Sequence, residues 1–186
     1  MRSIACSAVV LVAAAIVCIP SLSISNDRPP SPPDWVFDHW SHLTKGSGTW
    51  AADNAAYQSE QEPYREYRTA WTYGLGNMSL TGRLFGVIDS VDAGTFWTFR
   101  SVWHPKEERL VELQFGGDGT FGMGESYPVN DALYEHVMTF YAPDGSSYRV
   151  GHRTTIVNGD QHMQSYQISP DGEWTEQRFY IWKRLP

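Results

Sequence analysis

From residue 64 to residue 183 the chain is a succession of short segments in which Tyr, Trp, Phe, Thr and Val alternate with polar residues at a period of two. Each is cut off by a turn. The period is that of strands with one face on a core, and no sustained helical pattern lies between them. The cuts fall at 74–77, 92–94, 104–106, 116–119, 143–145, 158–159 and 170–172, several on Asn-Gly or Asp-Gly pairs. Such pairs supply the positive backbone dihedrals of tight hairpins, so strands adjacent in sequence are expected to be adjacent in the sheet.

Nine strands are predicted, at 64–73, 78–88, 95–104, 108–115, 120–126, 133–141, 147–157, 161–168 and 174–183, with a new segment opening at Thr49 and Trp50. Without helical crossovers a parallel sheet is excluded. An open sheet of this size would leave two long unpaired edges, and closure removes them. The expected fold is therefore all-β, an antiparallel up-and-down barrel of about nine or ten strands. A β-sandwich is the rival, but it needs long crossing connections, and the only extended candidate is 125–131, which contains Pro128. Ahead of the strands, Trp35, Val36, Phe37, Trp40 and Leu43 recur mostly on one helical face, with Asp34 as a cap after Pro33. A short plugging helix is expected there.

The first 25 residues have the layout of a secretory signal: Arg2 at the start, a nearly unbroken apolar run from Ile4 to Pro20, then small residues where a peptidase can cut. The run is too short for a spanning helix, which needs roughly 18 to 20 apolar residues, so no stable membrane span is expected after cleavage. Cys18 follows Val17 rather than a small residue, a poor site for lipid attachment. Cys6 and Cys18 are the only cysteines, so a cleaved chain has no disulfide or thiolate chemistry. A proline-rich linker is read at 26–33 and one domain at 34–186. Secretion or a periplasmic location is the expectation.

Cleavage takes away Arg2 and no acid, so 13 basic side chains face 21 acidic ones and the formal charge goes from -7 to -8. Without a block of Lys or Arg, this argues against nucleic acid as a partner.

Several segments resemble small bacterial lipocalin-like β-barrels of the broader calycin kind, largely recorded as domains of unknown function. They are Gly48-Thr-Trp50, Leu80-Thr-Gly-Arg-Leu-Phe-Gly86, Phe96-Trp97 with Trp103-His-Pro105, Gly116-Gly-Asp-Gly-Thr120, Pro143-Asp-Gly-Ser146, and Asp171-Gly-Glu-Trp174 followed by Trp182-Lys-Arg184. The resemblance covers nearly all of 34–186. It implies the barrel and a cavity, with Gly-x-Trp marking the first strand on the barrel floor, and it brings no catalytic motif.

Strand alternation decides which side chains share a lumen. On 95–104 one face carries Trp97, Phe99, Ser101 and Trp103 and the other Phe96, Arg100 and His104. On 133–141 Glu135 and Val137 stand against Tyr134, His136 and Phe140. The phase is open on both. Trp71, Trp97, Trp103, Tyr134 and Phe140 are the candidate walls of a pocket for a small apolar or aromatic ligand, or else the filling of a packed core. Glu66, Arg68, Arg83, Arg100, Glu112, Glu135, Arg153, Glu176 and Arg178 fall inside predicted strands. Most belong to the solvated face, and Arg83 and Arg100 are the candidates to orient a ligand head group. His136 and His152 complete the candidate set.

No two histidines stand at metal-ligand spacing on one strand, so no metal or other cofactor is expected. His152 and His162, on either side of the 158–159 turn, are the pair whose convergence is worth testing. Gly-x-Ser-x-Gly is absent, and no helix follows the glycine-rich stretches to receive a phosphate. Three functions stay open: a ligand-binding barrel, a packed interaction module without a cavity, and an enzyme with an acid or base in the lumen.

Overall fold

The computed structural model describes residues 31–186, so the predicted signal, Cys6, Cys18 and most of the linker lie outside the described residues. A helix, α1 (Asp34–Thr44), precedes β1 (Thr49–Asp53), a single 3-10 turn (Ala55–Tyr57) and β2 (Glu66–Tyr73). A second such turn (Leu75–Asn77) leads into β3 (Ser79–Ile88), β4 (Val91–His104) and β5 (Arg109–Gly116). The chain then runs through β6 (Phe121–Asn130), β7 (Leu133–Tyr141), β8 (Ser147–Val157), β9 (Asp160–Ile168) and β10 (Trp174–Arg184). All ten strands form one closed barrel, each antiparallel to its neighbours in sequence, and β10 returns to β1.

The expected up-and-down barrel is the observed one, and the sandwich is ruled out by closure. The segment 125–131 is no crossing connection: β6 runs on to Asn130, pairs with β7 throughout, and accommodates Pro128 beside a bulge. β1 is the strand that alternation missed. Its burial is continuous over Trp50, Ala51 and Ala52, so it has no polar face to read.

Ten strands alternate in direction, so the hairpins β2–β3, β4–β5, β6–β7 and β8–β9 gather at one end, where α1 also sits. Val36, Trp40 and Leu43 are buried against Leu80 and Leu110, with Tyr73 and Trp103 around them. Each such side chain taken out of water contributes about 1.5–3 kcal/mol, and this packing, not propensity, holds an eleven-residue helix in place. Asp34 does not cap it. Pro33 occupies that position with no side-chain hydrogen bond, and Asp34 supplies negative charge within the first turn.

Gly48 and Trp50 join the helix to the barrel. Gly48 has φ +67° and an added Cβ would lie 2.3 Å from the Trp71 carbonyl oxygen, so no other residue fits there. Trp50 is fully buried, its Nε1 donates to the Leu43 carbonyl at 2.9 Å, and the Arg184 guanidinium lies 4.5 Å over its ring. Trp50 then continues into a second core cluster with Ala52, Tyr67, Tyr180 and Trp182. The long β1–β2 connection is tied across this part of the barrel: Arg178 pairs with both carboxylate oxygens of Glu62 at 2.7 and 2.8 Å, and Tyr180 donates to Asn54 at 2.8 Å.

Close contact also sets side-chain positions within the wall. A Cβ on Gly82 would stand 2.5 Å from the Trp71 ring. Gly82→Ala is expected to cost about 1–3 kcal/mol and to turn Trp71 out of its place. Urea unfolding followed by tryptophan emission checks this, and an unchanged midpoint with unchanged emission would refute the contact. Among the described residues no helix is long and apolar enough to cross a membrane.

Candidate functional site

The barrel is hollow. A cavity of about 370 Å³ lies in the lumen, within the range of small-molecule sites. Its phase is now decided: β4 turns Trp97, Phe99 and Ser101 inward, β7 turns Tyr134, His136 and Phe140 inward, and β8 contributes Tyr148, Val150, His152 and Thr154. β2 adds Trp71, and β10 adds Trp182. A bulge at Phe96 interrupts the pairing of β3 with β4, so Phe96 joins the Tyr64 and Tyr67 rings in the second core cluster instead of following the outer face.

Six of the nine candidate residues therefore meet at one cavity: Trp71, Trp97, Tyr134, His136, Phe140 and His152. Trp103 shares their face but lies beyond the cavity, edge-on to Trp35 at 6.4 Å under α1. The two arginines do not reach the lumen. Gly82 and Leu84 face inward, so Arg83 between them points out, where it binds Asp92 at 2.7 Å and covers the Phe85 ring. Arg100 is likewise exposed between the inward Phe99 and Ser101. The pair His152 and His162 is also corrected. His152 lies opposite Ser165, whereas His162 lies opposite Thr155 on the other face, near Phe179. The neighbour of His152 is His136, directly across from β7, with ring centroids 5.5 Å apart.

Aromatic walls give way to a polar belt near α1. The inward residues that follow one another around the wall are Ser101 opposite Glu112, Ser126 opposite His136, and His136 opposite His152. Trp40 Nε1 donates to Ser101 Oγ at 3.0 Å, which commits the Ser101 hydroxyl to donate to Glu112 Oε1 at 2.8 Å. Ser126 Oγ donates to the same oxygen at 3.2 Å, while Oε2 takes no hydrogen bond from the described residues. From the helix His39 faces the Tyr134 ring at 4.9 Å, and His42 also borders the cavity.

Burial governs the charge of this belt. It pushes the Glu112 carboxyl up to about 8, only partly offset by the two hydroxyl donors, so the group is protonated at neutral pH. Burial also lowers His136 to about 3, with repulsion from His152 and His39 adding to it, and lowers His152 to about 4. His39 falls to about 4 through burial and then the nearby His42. His42 is lowered by burial, followed by Arg184 and Lys45. The lumen is thus uncharged near pH 7. His136 Nε2 and His152 Nδ1 are sealed from solvent without a hydrogen-bond partner.

Glu135 borders the cavity, but its carboxylate is turned outward to Arg153 at 2.9 Å and to the Tyr127 hydroxyl at 2.8 Å. Among the described residues no three His, Cys, Asp or Glu side chains come together as a metal-binding group. Sequence reasoning passed over Glu112 as one charged strand residue among nine, and passed over Ser101, Ser126, His39 and Trp182. The only signal for Glu112 was its setting between Val111 and Leu113, which is apolar on both sides and so gives no phase. No family model matches the chain and no curated protein is similar to it, so the site is defined by its own chemistry: an aromatic cavity with a neutral acid and neutral imidazoles at its floor.

Proposed function

We propose that this is an exported barrel that binds a small, mainly apolar or aromatic molecule in its lumen. The observation that carries the reading is the aromatic cavity of about 370 Å³. An interaction module with a packed interior has no use for such a space, since protein interiors otherwise close to crystal-like density. Export is supported by the signal-like pattern of residues 1–25. The lipocalin-like resemblance is supported by the Gly48-x-Trp50 junction under Arg184 and by the helix closing one end. We place ligand entry at the end away from α1, where Tyr148, which borders the cavity, is 40% exposed.

The test is tryptophan emission during titration with a panel of fatty acids, aromatic metabolites and other small apolar compounds, because Trp71, Trp97 and Trp182 border the cavity. Saturable change at micromolar concentration is expected. In Thr154→Phe, a ring introduced into the lumen should weaken the responding compound at least about tenfold, the effect of some 1.4 kcal/mol, while the barrel still unfolds cooperatively. Equal affinity in that variant would move the binding site out of the lumen. A second reading, an enzyme using Glu112 as a general acid, is favoured by its protonated state alone. It predicts turnover of the bound compound that Glu112→Gln abolishes without abolishing binding.

A further inference from the structure

Glu112 stands in an unbalanced setting. Among the described residues, each group that touches its carboxyl can donate: two hydroxyls converge on Oε1, and Trp40, by donating to Ser101, leaves that hydroxyl its own proton for Glu112. Such a shell favours a carboxylate, yet the lumen provides no countercharge for one. Among the described residues no lysine or arginine borders the cavity. Arg184 lies at the floor beyond His42, where it donates to the His42 carbonyl at 3.3 Å.

The other ionisable groups of the described residues turned to the interior are His39 and His42 from α1, Tyr134 and His136 from β7, and Tyr148 and His152 from β8, both tyrosines raised above their ordinary value by burial. Each is neutral at pH 7. The charged neighbours on the adjacent strands point away: Arg100 from β4 and Glu125 from β6, the latter towards Arg109 at 3.5 Å. Asp38 of α1 is exposed. Among the described residues Glu112 is therefore the single acid whose carboxyl faces the cavity, and its Oε2 takes no hydrogen bond from them. Trp71, Trp97 and Phe140 line the same cavity, Trp71 stacked on Phe99 and Phe140 on Tyr148, and give it an apolar wall. An anionic ligand would meet a carboxyl group and no cation. An ammonium would find the missing partner of Glu112, and the orphan nitrogens of His136 and His152 border the same belt.

We infer that the lumen takes a small organic amine in its protonated form, an aryl-alkyl or short alkyl ammonium, with the ammonium on Oε2 of Glu112 and the apolar body among Trp71, Trp97 and Phe140. The inference rests on the lumen being a ligand site, as proposed above. Proton balance follows directly. The amine enters as R–NH₃⁺, the Glu112 carboxyl gives its proton to solvent, and the bound state is an ammonium–carboxylate pair, so one proton is released per ligand wherever free Glu112 is protonated. Affinity must then rise with pH, by about tenfold per unit, until Glu112 in the free protein ionises on its own near pH 8.

The probes are three molecules of matched shape, 2-phenylethylamine, 2-phenylethanol and 3-phenylpropionate, titrated calorimetrically and by tryptophan emission into the wild-type protein at pH 6, 7 and 8. The amine is expected to bind at least about tenfold tighter than the other two at pH 8. At pH 6.5, calorimetry in two buffers of different ionisation heat should count about one proton released, a readout that needs no variant. Glu112→Gln keeps an acceptor for Ser101 and Ser126 and should erase both the preference and the proton release while 2-phenylethanol binds as before. Tighter binding of the alcohol or the acid, or amine binding with no proton released, overturns the amine assignment and leaves the lumen reading standing. If none of the three binds while a member of the broader panel does, the amine assignment alone falls. If neither this series nor the panel binds, both fall together.

Discussion

Trp40→Ala is expected to remove about 3–5 kcal/mol of stability, the largest loss of any single truncation at the helix end of the barrel. The indole is fully buried among Val36, Leu43, Leu80 and Leu110, and its edge meets Phe37 at a centroid distance of 5.9 Å. Truncation opens a void of indole size that neither the helix nor ten hydrogen-bonded strands can collapse to fill. It also strips Ser101 of its donor and so loosens the hydroxyl that holds Glu112. Ser101→Ala separates the two effects, because it loses only the hydrogen bonds and should cost about 1–3 kcal/mol, the penalty for leaving buried polar groups unpaired. Urea unfolding of both variants gives the comparison. A loss under about 1 kcal/mol for Trp40→Ala would mean that α1 is not part of the barrel's cooperative unit.

Stability should pass through a maximum near pH 6.5 and fall on both sides. The sign on the acid side comes from His39, His136 and His152, all lowered in the folded protein from 6.5 to about 4, 3 and 4. As pH falls below 6.5 the unfolded chain takes up three protons that the folded one refuses, which destabilises the fold. Glu112 works in the opposite sense. Its folded value is raised from 4.5 to about 8, so its contribution is fully present below pH 4.5 and is lost as pH rises towards 8.

Between pH 4.5 and 6.5 three histidine protons outweigh one carboxyl proton, and stability climbs with pH by roughly 2.7 kcal/mol per unit. From 6.5 to 8 only Glu112 titrates differentially among these four groups, and stability drops by about 1.4 kcal/mol per unit. Unfolding free energies measured by urea at half-unit steps from pH 5 to 8.5 check the shape. Glu112→Gln should flatten the alkaline limb, and His136→Gln should make the acid limb shallower by one proton. A profile level from pH 5 to 8 would sink the assignment of neutral imidazoles and a protonated carboxyl to the lumen.

The strand boundaries at 133–141 and 147–157 agree with those read from alternation, because their ends are marked by Asp-Gly and Asn-Gly turns whose backbone demands are local. The same locality explains the order of strands: two-residue and other short connections leave no alternative to antiparallel neighbours. Alternation gave no sign of β1 for the converse reason, since it is buried over Trp50, Ala51 and Ala52, and only the Gly48-x-Trp50 resemblance pointed to a first strand there. Closure of β10 on β1 was inferred from the cost of leaving edges open, a global argument with no residue behind it.

The site was legible only in part. Trp71, Trp97, Tyr134 and Phe140 could be named because large rings in alternating strands have few places to go, whether hollow or packed. Their phase could not, since β4 and β7 are aromatic or polar on both faces, and a slip of one residue exchanges every side chain between lumen and solvent. For that reason Arg83 and Arg100, placed by sequence beside those rings, stand outside, and Glu112, Ser101 and Ser126 stand within. Local chemistry, then, determined nine of the ten strands and their order, and the cost of open edges added the closure. Tertiary structure alone decided which face is the interior, which histidines are neighbours and that one carboxyl is protonated, because register, enclosed volume and dielectric are properties of the assembled wall and not of any segment in it.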